Sequence, residues 1–267
     1  MLWTVAVLAT VTAVAAQAAR SSAQVTANWR ARTIGRAMAE SGILAARSMI
    51  DDSLRAYATD ASQQQAFLTR LTGGTAPDAA TPVLSDTLGS GVFAVVVVDV
   101  GSRLDVNTAG VEGLAGLLGT VTSPGAAQQS ARRIDEALHG GVDETASPAR
   151  AARDSLAAAL LGRPAPLRRF RPFETLDALQ EIPGVDTLAL AQVASSLTVD
   201  GNGQLNRRTA SAAVRAAATG SLVDAATRLL IIARGWAPGQ PLTREIQAVY
   251  DVSPDGLRLV RWREQER

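Results

Sequence analysis

From Met1 to Ala19 (MLWTVAVLATVTAVAAQAA) no position carries a charge, and the first charged residue is Arg20. That run just reaches the roughly 20 residues a spanning helix needs, although Ala, Thr and Gln dilute its apolarity. Residues 1–20 are therefore expected to be the transmembrane part of an N-terminal helix, with Leu2, Trp3, Val5, Val7, Leu8, Val11 and Val14 facing lipid. Beyond Arg20 the pattern turns amphipathic. Ile34, Met38, Gly42, Ala45 and Met49 recur at three- to four-residue spacing, and Arg32, Arg36, Arg47 and Asp51 lie off that stripe. One long helix is predicted, its first half in lipid and its second half on a soluble domain. A cleaved signal peptide is the competing reading: Ala16-Gln17-Ala18 offers a small-residue cleavage site, but the basic opening such a peptide needs is missing. Arginine flanks alone place the Arg20 side in the cytoplasm, a conflict that disappears if basic residues precede Met1.

The segment LTGGTAPDAATPVLSDTLGSG, residues 71–91, is rich in Gly, Pro, Thr and Asp and reads as a loop. It leads into a β-branched run over 92–100, too short to cross a membrane and typical of a strand buried on both faces. Strands return at the C-terminus over 228–236, 243–252 and 257–262, separated by APGQP and SPDG, and look like a meander. Between them, about 104–220, the pattern is helical. Helices are expected over 109–118, capped by Asn107 or Thr108; after Ser123 with Pro124 in the first turn; over 176–181, capped by Thr175; and over 187–197, capped by Asp186. RLDVNTAG, from Arg103, and QLNRRTAS, from Gln204, both read as passages into helices, with Asn107, Thr108, Asn206 and Thr209 as caps bracketing a helical insertion. The expected domains are a first part over 21–103, an inserted α-helical domain over 104–220 and a second, stranded part over 221–267.

Chemistry enters sparingly. The 267 residues, 47% apolar, can bury a core, and 26 basic against 25 acidic side chains leave no global field for nucleic acid or acidic lipid. All the basic residues are Arg, which reads as coding bias. There is no Cys, so disulfides, thiolate nucleophiles and Cys-ligated zinc are excluded. The single His139 sits late on a polar helix, where it fits dipole compensation better than catalysis. FETLDALQEIPGVDTLALAQVASSL has the pattern of a helix-hairpin-helix, turning at Pro183 and Gly184. Where DNA-binding versions carry a second Gly it has Asp186, whose carboxylate would take the free N–H groups and repel phosphate. RPAPLRRFRPF, residues 163–173, is the one basic and aromatic cluster; it reads as an exposed loop with Phe170 and Phe173 packed inward rather than as a single-strand binding site. DGNGQLN, from Asp200, imitates the start of a calcium loop, but position six is Leu205 and position twelve Ser211, so a polar turn is the reading. No activated nucleophile, phosphate loop or metal cluster is visible, and an enzyme is not expected.

These features together resemble the minor pseudopilin K of bacterial type II secretion, the general secretion pathway protein K. The matching residues are LWTVAVLATV running into RTIGRAMAESGILAA, then VVVVDVGSRLDVNTAG, FETLDALQEIPGVD with LTVDG after it, LNRRTAS, and the final LVRWRE. The resemblance implies an α+β fold in which a pilin-like long N-terminal helix packs on an antiparallel sheet, with a large inserted all-α domain containing helix-hairpin-helix-like pairs. It implies a single-pass protein of the bacterial inner membrane, its C-terminal domain in the periplasm, at the tip of the pseudopilus with minor pseudopilins I and J. Other implied partners are pseudopilus and inner-membrane secretion components, and prepilin peptidase for maturation after a basic leader ending in Gly; no leader precedes Met1, and the reading expects it to have been removed or translation to begin earlier. Val5 stands where ordinary pilins carry a Glu; a tip subunit has no neighbour ahead to pair that charge, and an apolar residue avoids stranding it in lipid. No cofactor is required, and calcium is an optional ligand that the resemblance brings in without ligands. Alternative readings are a membrane-anchored helix-hairpin-helix DNA receptor and a minor pilin of a type IV pilus.

Overall fold

The computed structural model describes residues 2–73, 82–139, 170–253 and 255–266; within the first helix, the side chains of Leu2 and residues 4–11 are outside that description. The chain forms two compact units, one made of residues 1–61, 77–98 and 230–267, the other of 62–76 and 99–229.

The first unit is built on α1, Leu2–Ala56. Its interior hydroxyls are disposed of locally: Thr26, Thr33, Ser41 and Ser53 each donate to the carbonyl four residues back, at 2.8–3.0 Å, which lets polar residues sit in a helix without an unmet donor. Residues 12–30 are exposed. From Ala31 onward one face is buried: Ala39, Ile43, Ala46, Ile50 and Leu54 are wholly inaccessible, Met38 and Gly42 of the expected stripe are buried with them, and Ile34, Ala45 and Met49 border that face. That face packs on a five-stranded antiparallel sheet of β1 (Leu84–Leu88), β2 (Gly91–Asp99), β7 (Arg228–Trp236), β8 (Thr243–Ser253) and β9 (Gly256–Glu266), ordered β1-β2-β7-β8-β9. The helix can lie this close because its contact line is small. A Cβ on Gly42 would stand 3.0 Å from both Phe93 and Val95, and one on Gly235 would stand 2.2 Å from the Gly35 carbonyl oxygen. β1 corrects the expectation that residues 71–91 are all loop. It is a short edge strand with four of five residues exposed, so it has no buried face to mark it in the sequence.

Polar groups fix the helix on the sheet. Asp51 accepts from the Leu257 amide (2.7 Å), Arg36 pairs with Glu264 (3.0 Å), Arg32 pairs with Glu266 (3.0 Å), and the Arg47 guanidinium lies 5.8 Å from the Tyr250 ring centre. In the sheet itself Glu245 has a fully buried carboxylate, held by Arg234 Nε (2.8 Å) and Gln247 Nε2 (2.7 Å).

The second unit contains α2 (Ala61–Leu71), β3 (Leu104–Asp105), α3 (Gly110–Leu118), α4 (Pro124–Leu138), α5 (Thr187–Val193), β4 (Leu197–Thr198), β5 (Gln204–Asn206), α6 (Ala212–Ala216) and β6 (Ser221–Val223). Its core gathers Leu104, Val106, Leu114, Leu117, Ile134, Leu179, Leu190, Val193, Leu205 and Val214. The expectation of an all-α insertion is corrected here: β3 pairs with β4 and β5 with β6, both in parallel. Parallel pairing needs a crossover between partners, and helices supply it, which is why the strands hide in a helical pattern.

The helix-hairpin-helix is corrected as well. The expected helix over 176–181 is a single 3₁₀ turn, Asp177–Leu179, so α5 has no preceding α-helix to pair with across Pro183-Gly184. The cause is the apolar spacing: Phe173, Leu176, Leu179, Ile182 and Val185 all pack toward the core at a period of three, which suits a turning 3₁₀ path and not an α-helical face.

Candidate functional site

Both related motifs leave a short parallel strand, Leu104-Asp105 in β3 and Gln204-Leu205-Asn206 in β5, and both turn the same way. In the first, Asp105 Oδ1 accepts from the Asn107 amide (3.1 Å), and the Asp105 carbonyl accepts from the Thr108 and Ala109 amides (3.1 and 2.8 Å). In the second, Asn206 Oδ1 accepts from the Arg208 amide (3.0 Å), and its carbonyl accepts from the Thr209 and Ala210 amides (3.3 and 2.9 Å). Each is a turn folded on its own Asx side chain. The repetition in the sequence is thus a repeated turn.

The four residues read as helix caps do not cap. The residue before α3 is Ala109, which makes no side-chain capping bond, and α6 is capped by Ser211, whose Oγ accepts from the Val214 amide (3.2 Å). Asn107 instead binds distant backbone: its Nδ2 donates to the Phe173 and Val199 carbonyls (both 3.1 Å), and its Oδ1 accepts from the Phe173 amide (2.8 Å). Thr108 Oγ1 donates to Asp105 Oδ2 (3.0 Å). Asn206 Nδ2 and Thr209 Oγ1 both donate to Asp99 Oδ2, at 2.7 and 2.6 Å, and Asp99 Oδ1 accepts from the Gly101 amide at 2.8 Å. For Asn107, Asn206 and Thr209 long-range partners outcompete capping because those side chains are buried or half-buried, where an unmet polar group would be costly, whereas the exposed Thr108 bonds within its own turn.

Burial raises the carboxyl of Asp99 above its ordinary value, against the hydrogen bonds of Thr209, Asn206 and Gly101. Desolvation raises Asp105 too, offset by the Asn107 amide and Thr108, with Asp200 pushing it further up and Arg228 drawing it down. Asp99 ties down the second turn and was not singled out by the sequence; its signal there is an acidic residue ending a run of valines.

At the hairpin, Gly184 takes a left-handed φ of 82°, and Asp186 Oδ1 accepts from the Leu188 and Ala189 amides (3.1 and 3.0 Å) at the start of α5. Asp186 Oδ2 also accepts from Thr122 Oγ1 (3.2 Å), and the Asp186 amide donates to Ser130 Oγ (3.0 Å). The donors a phosphate would need are engaged by a carboxylate. His139 lies beside Asp135, 3.2 Å from its carboxylate and 3.0 Å from its carbonyl oxygen, with the Phe170 ring tilted against it at 5.8 Å. Phe170 is 52% exposed, which corrects the inward packing expected of it, whereas Phe173 does pack on the core. Residues 163–169 of the basic cluster lie outside the described residues.

Among the described residues no helix is long and apolar enough to cross a membrane. Of the residues named for a span, Leu2, Val5, Val7, Leu8 and Val11 have side chains outside the description, and Trp3 and Val14 are exposed. Among the described residues, the loop after Asp200 is the place whose composition imitates a calcium loop. The loop does not fit calcium, because the Asp200 and Gly201 carbonyl oxygens accept from Arg228 Nη1 (3.0 and 2.8 Å), and no group of three or more acidic or His residues suited to a metal occurs among the described residues.

No family model and no curated protein matches the sequence. In structure the chain is similar to one chain of the GspK-GspI-GspJ complex of the type 2 secretion system of enterotoxigenic Escherichia coli, with a TM-score of 0.56 and 12% identity. The match covers 93% of this chain and 100% of that one, and it points to no enzyme family. A likeness of this extent at this identity shows the fold, which is pilin-like: a long N-terminal helix packed on a five-stranded antiparallel sheet.

Proposed function

We propose that this protein is a non-enzymatic minor pseudopilin of type II secretion, the K subunit, which joins pseudopilins I and J at the tip of the pseudopilus and helps initiate its assembly. The observation that carries the reading is the extent of the fold likeness: a chain of the GspK-GspI-GspJ complex is matched along its whole length, over 93% of this chain. Those residues also give the reading a physical sense. A pilin-like head that carries well over a hundred additional residues cannot repeat in a regular helical array, but it can end one. In this reading residues 1–20 lie in the inner membrane, the rest is periplasmic, and residues 104–220 are the capping insertion. No observation favours DNA reception, since Asp186 occupies the amides a phosphate would use.

The absence of Cys makes the test clean. Single cysteines at Trp29, Ala37 or Ser48, exposed along α1, paired with single cysteines on the N-terminal helix of pseudopilin I, should form disulfide-linked heterodimers in secreting cells. Failure at every exposed α1 position, with the variants still supporting secretion, would count against a place in the tip.

A further inference from the structure

We infer that Arg228 is a built-in cation that replaces a bound divalent ion in the loop after β4, so that this chain folds and keeps its second unit independently of calcium. The loop Asp200-Gly201-Asn202-Gly203-Gln204 has the composition of a cation loop, and its oxygens do converge on positive charge. The charge is covalent. Arg228 Nη1 donates to the Asp200 carbonyl at 3.0 Å and to the Gly201 carbonyl at 2.8 Å. A calcium ion binds oxygens at about 2.3–2.6 Å. An ion on these two carbonyls would overlap the guanidinium and meet a like charge.

The surroundings are arranged for the same charge. Asp105 and Asp200 are 6% and 8% exposed, and Arg228 acts on Asp105 electrostatically. Both Asp105 oxygens already accept hydrogen bonds, Oδ1 from the Asn107 amide and Oδ2 from Thr108 Oγ1. The Gly201 backbone presses on Asp105 so tightly that a Cβ there would fall 2.3 Å from the Asp105 Cβ. Asn202 and Gln204 complete the loop among themselves: Asn202 Nδ2 donates to Thr227 Oγ1 (3.2 Å), and its Oδ1 accepts from the Gln204 amide (3.2 Å). The loop side chains that would otherwise supply ligands are turned to holding the loop itself.

The test is thermal unfolding of the full chain in millimolar calcium and in EGTA, for the wild type, Arg228→Lys and Arg228→Met. The wild-type midpoint should be the same in both buffers. Arg228→Met should lower it by about 3–8 °C, on the scale expected for losing two half-buried charge-assisted hydrogen bonds in a chain of this size, and Arg228→Lys should recover part of the loss. If Arg228→Met does not fold, the wild-type pair and Arg228→Lys carry the test. A wild-type midpoint raised by calcium, or an Arg228→Met protein as stable as the wild type, would overturn the proposal.

Discussion

Asp99 gathers three donors onto one buried carboxylate, from Asn206, Thr209 and Gly101. Burial outweighs them, so its folded value stands above the ordinary 3.8. A carboxyl raised on folding binds its proton more tightly in the native state. Its contribution to stability is therefore full below about pH 3.8 and is lost as pH rises through the folded value. Asp99→Asn removes that titration. The stability difference between wild type and Asp99→Asn should shift in favour of the wild type as pH is lowered toward 3.8 and stay flat at neutral pH; urea unfolding across that range measures it, and a difference independent of pH would refute the assignment. The sequence exposes such residues unevenly. Asp186 is readable because its donors, the Leu188 and Ala189 amides, are two and three residues away. Asn107 is misread as a cap because its partners at Phe173 and Val199 are 66 and 92 residues away, and Asn206 is misread because Asp99 is 107 away. No local pattern encodes a partner at that distance.

The elements with one dominant period are the ones the sequence shows. β7 occupies Arg228–Trp236, the β-branched run over 92–100 becomes β2, and Ser123 with Pro124 opens α4. Elements that borrow stability from elsewhere are not shown: β1 has no buried face, β3 to β6 are two or three residues long, and the 3₁₀ turn at Asp177–Leu179 follows an apolar period of three. The packing of α1 is intermediate, since its amphipathic half is plain but the buried line runs through Ala39, Gly42 and Ala46, residues that bring smallness as much as apolarity. That closeness is testable at Gly235, where any Cβ would lie 2.2 Å from the Gly35 oxygen and 2.4 Å from the Ala39 amide nitrogen. Gly235→Val should destabilise by about 1–3 kcal/mol or more, as overpacking does, measured by denaturant unfolding. A neutral effect would mean that α1 does not contact β7 there.

Over the whole chain, composition excludes more than it assigns: without Cys, with a single His and with balanced charge, catalysis and metal chemistry have little to work with. The order of elements carries the positive content, because the long helix and the antiparallel sheet form one pilin-like body, while residues 62–76 and 99–229 form a second unit of their own. On the proposed reading such a protein ends an assembly, and the most direct measurement is sizing with light scattering on a mixture of this protein and the pseudopilins I and J proposed as its partners. The account predicts a stable one-to-one-to-one complex that survives dilution and does not incorporate the major pseudopilin in place of either partner. A protein that elutes alone, ignoring both partners, would contradict it.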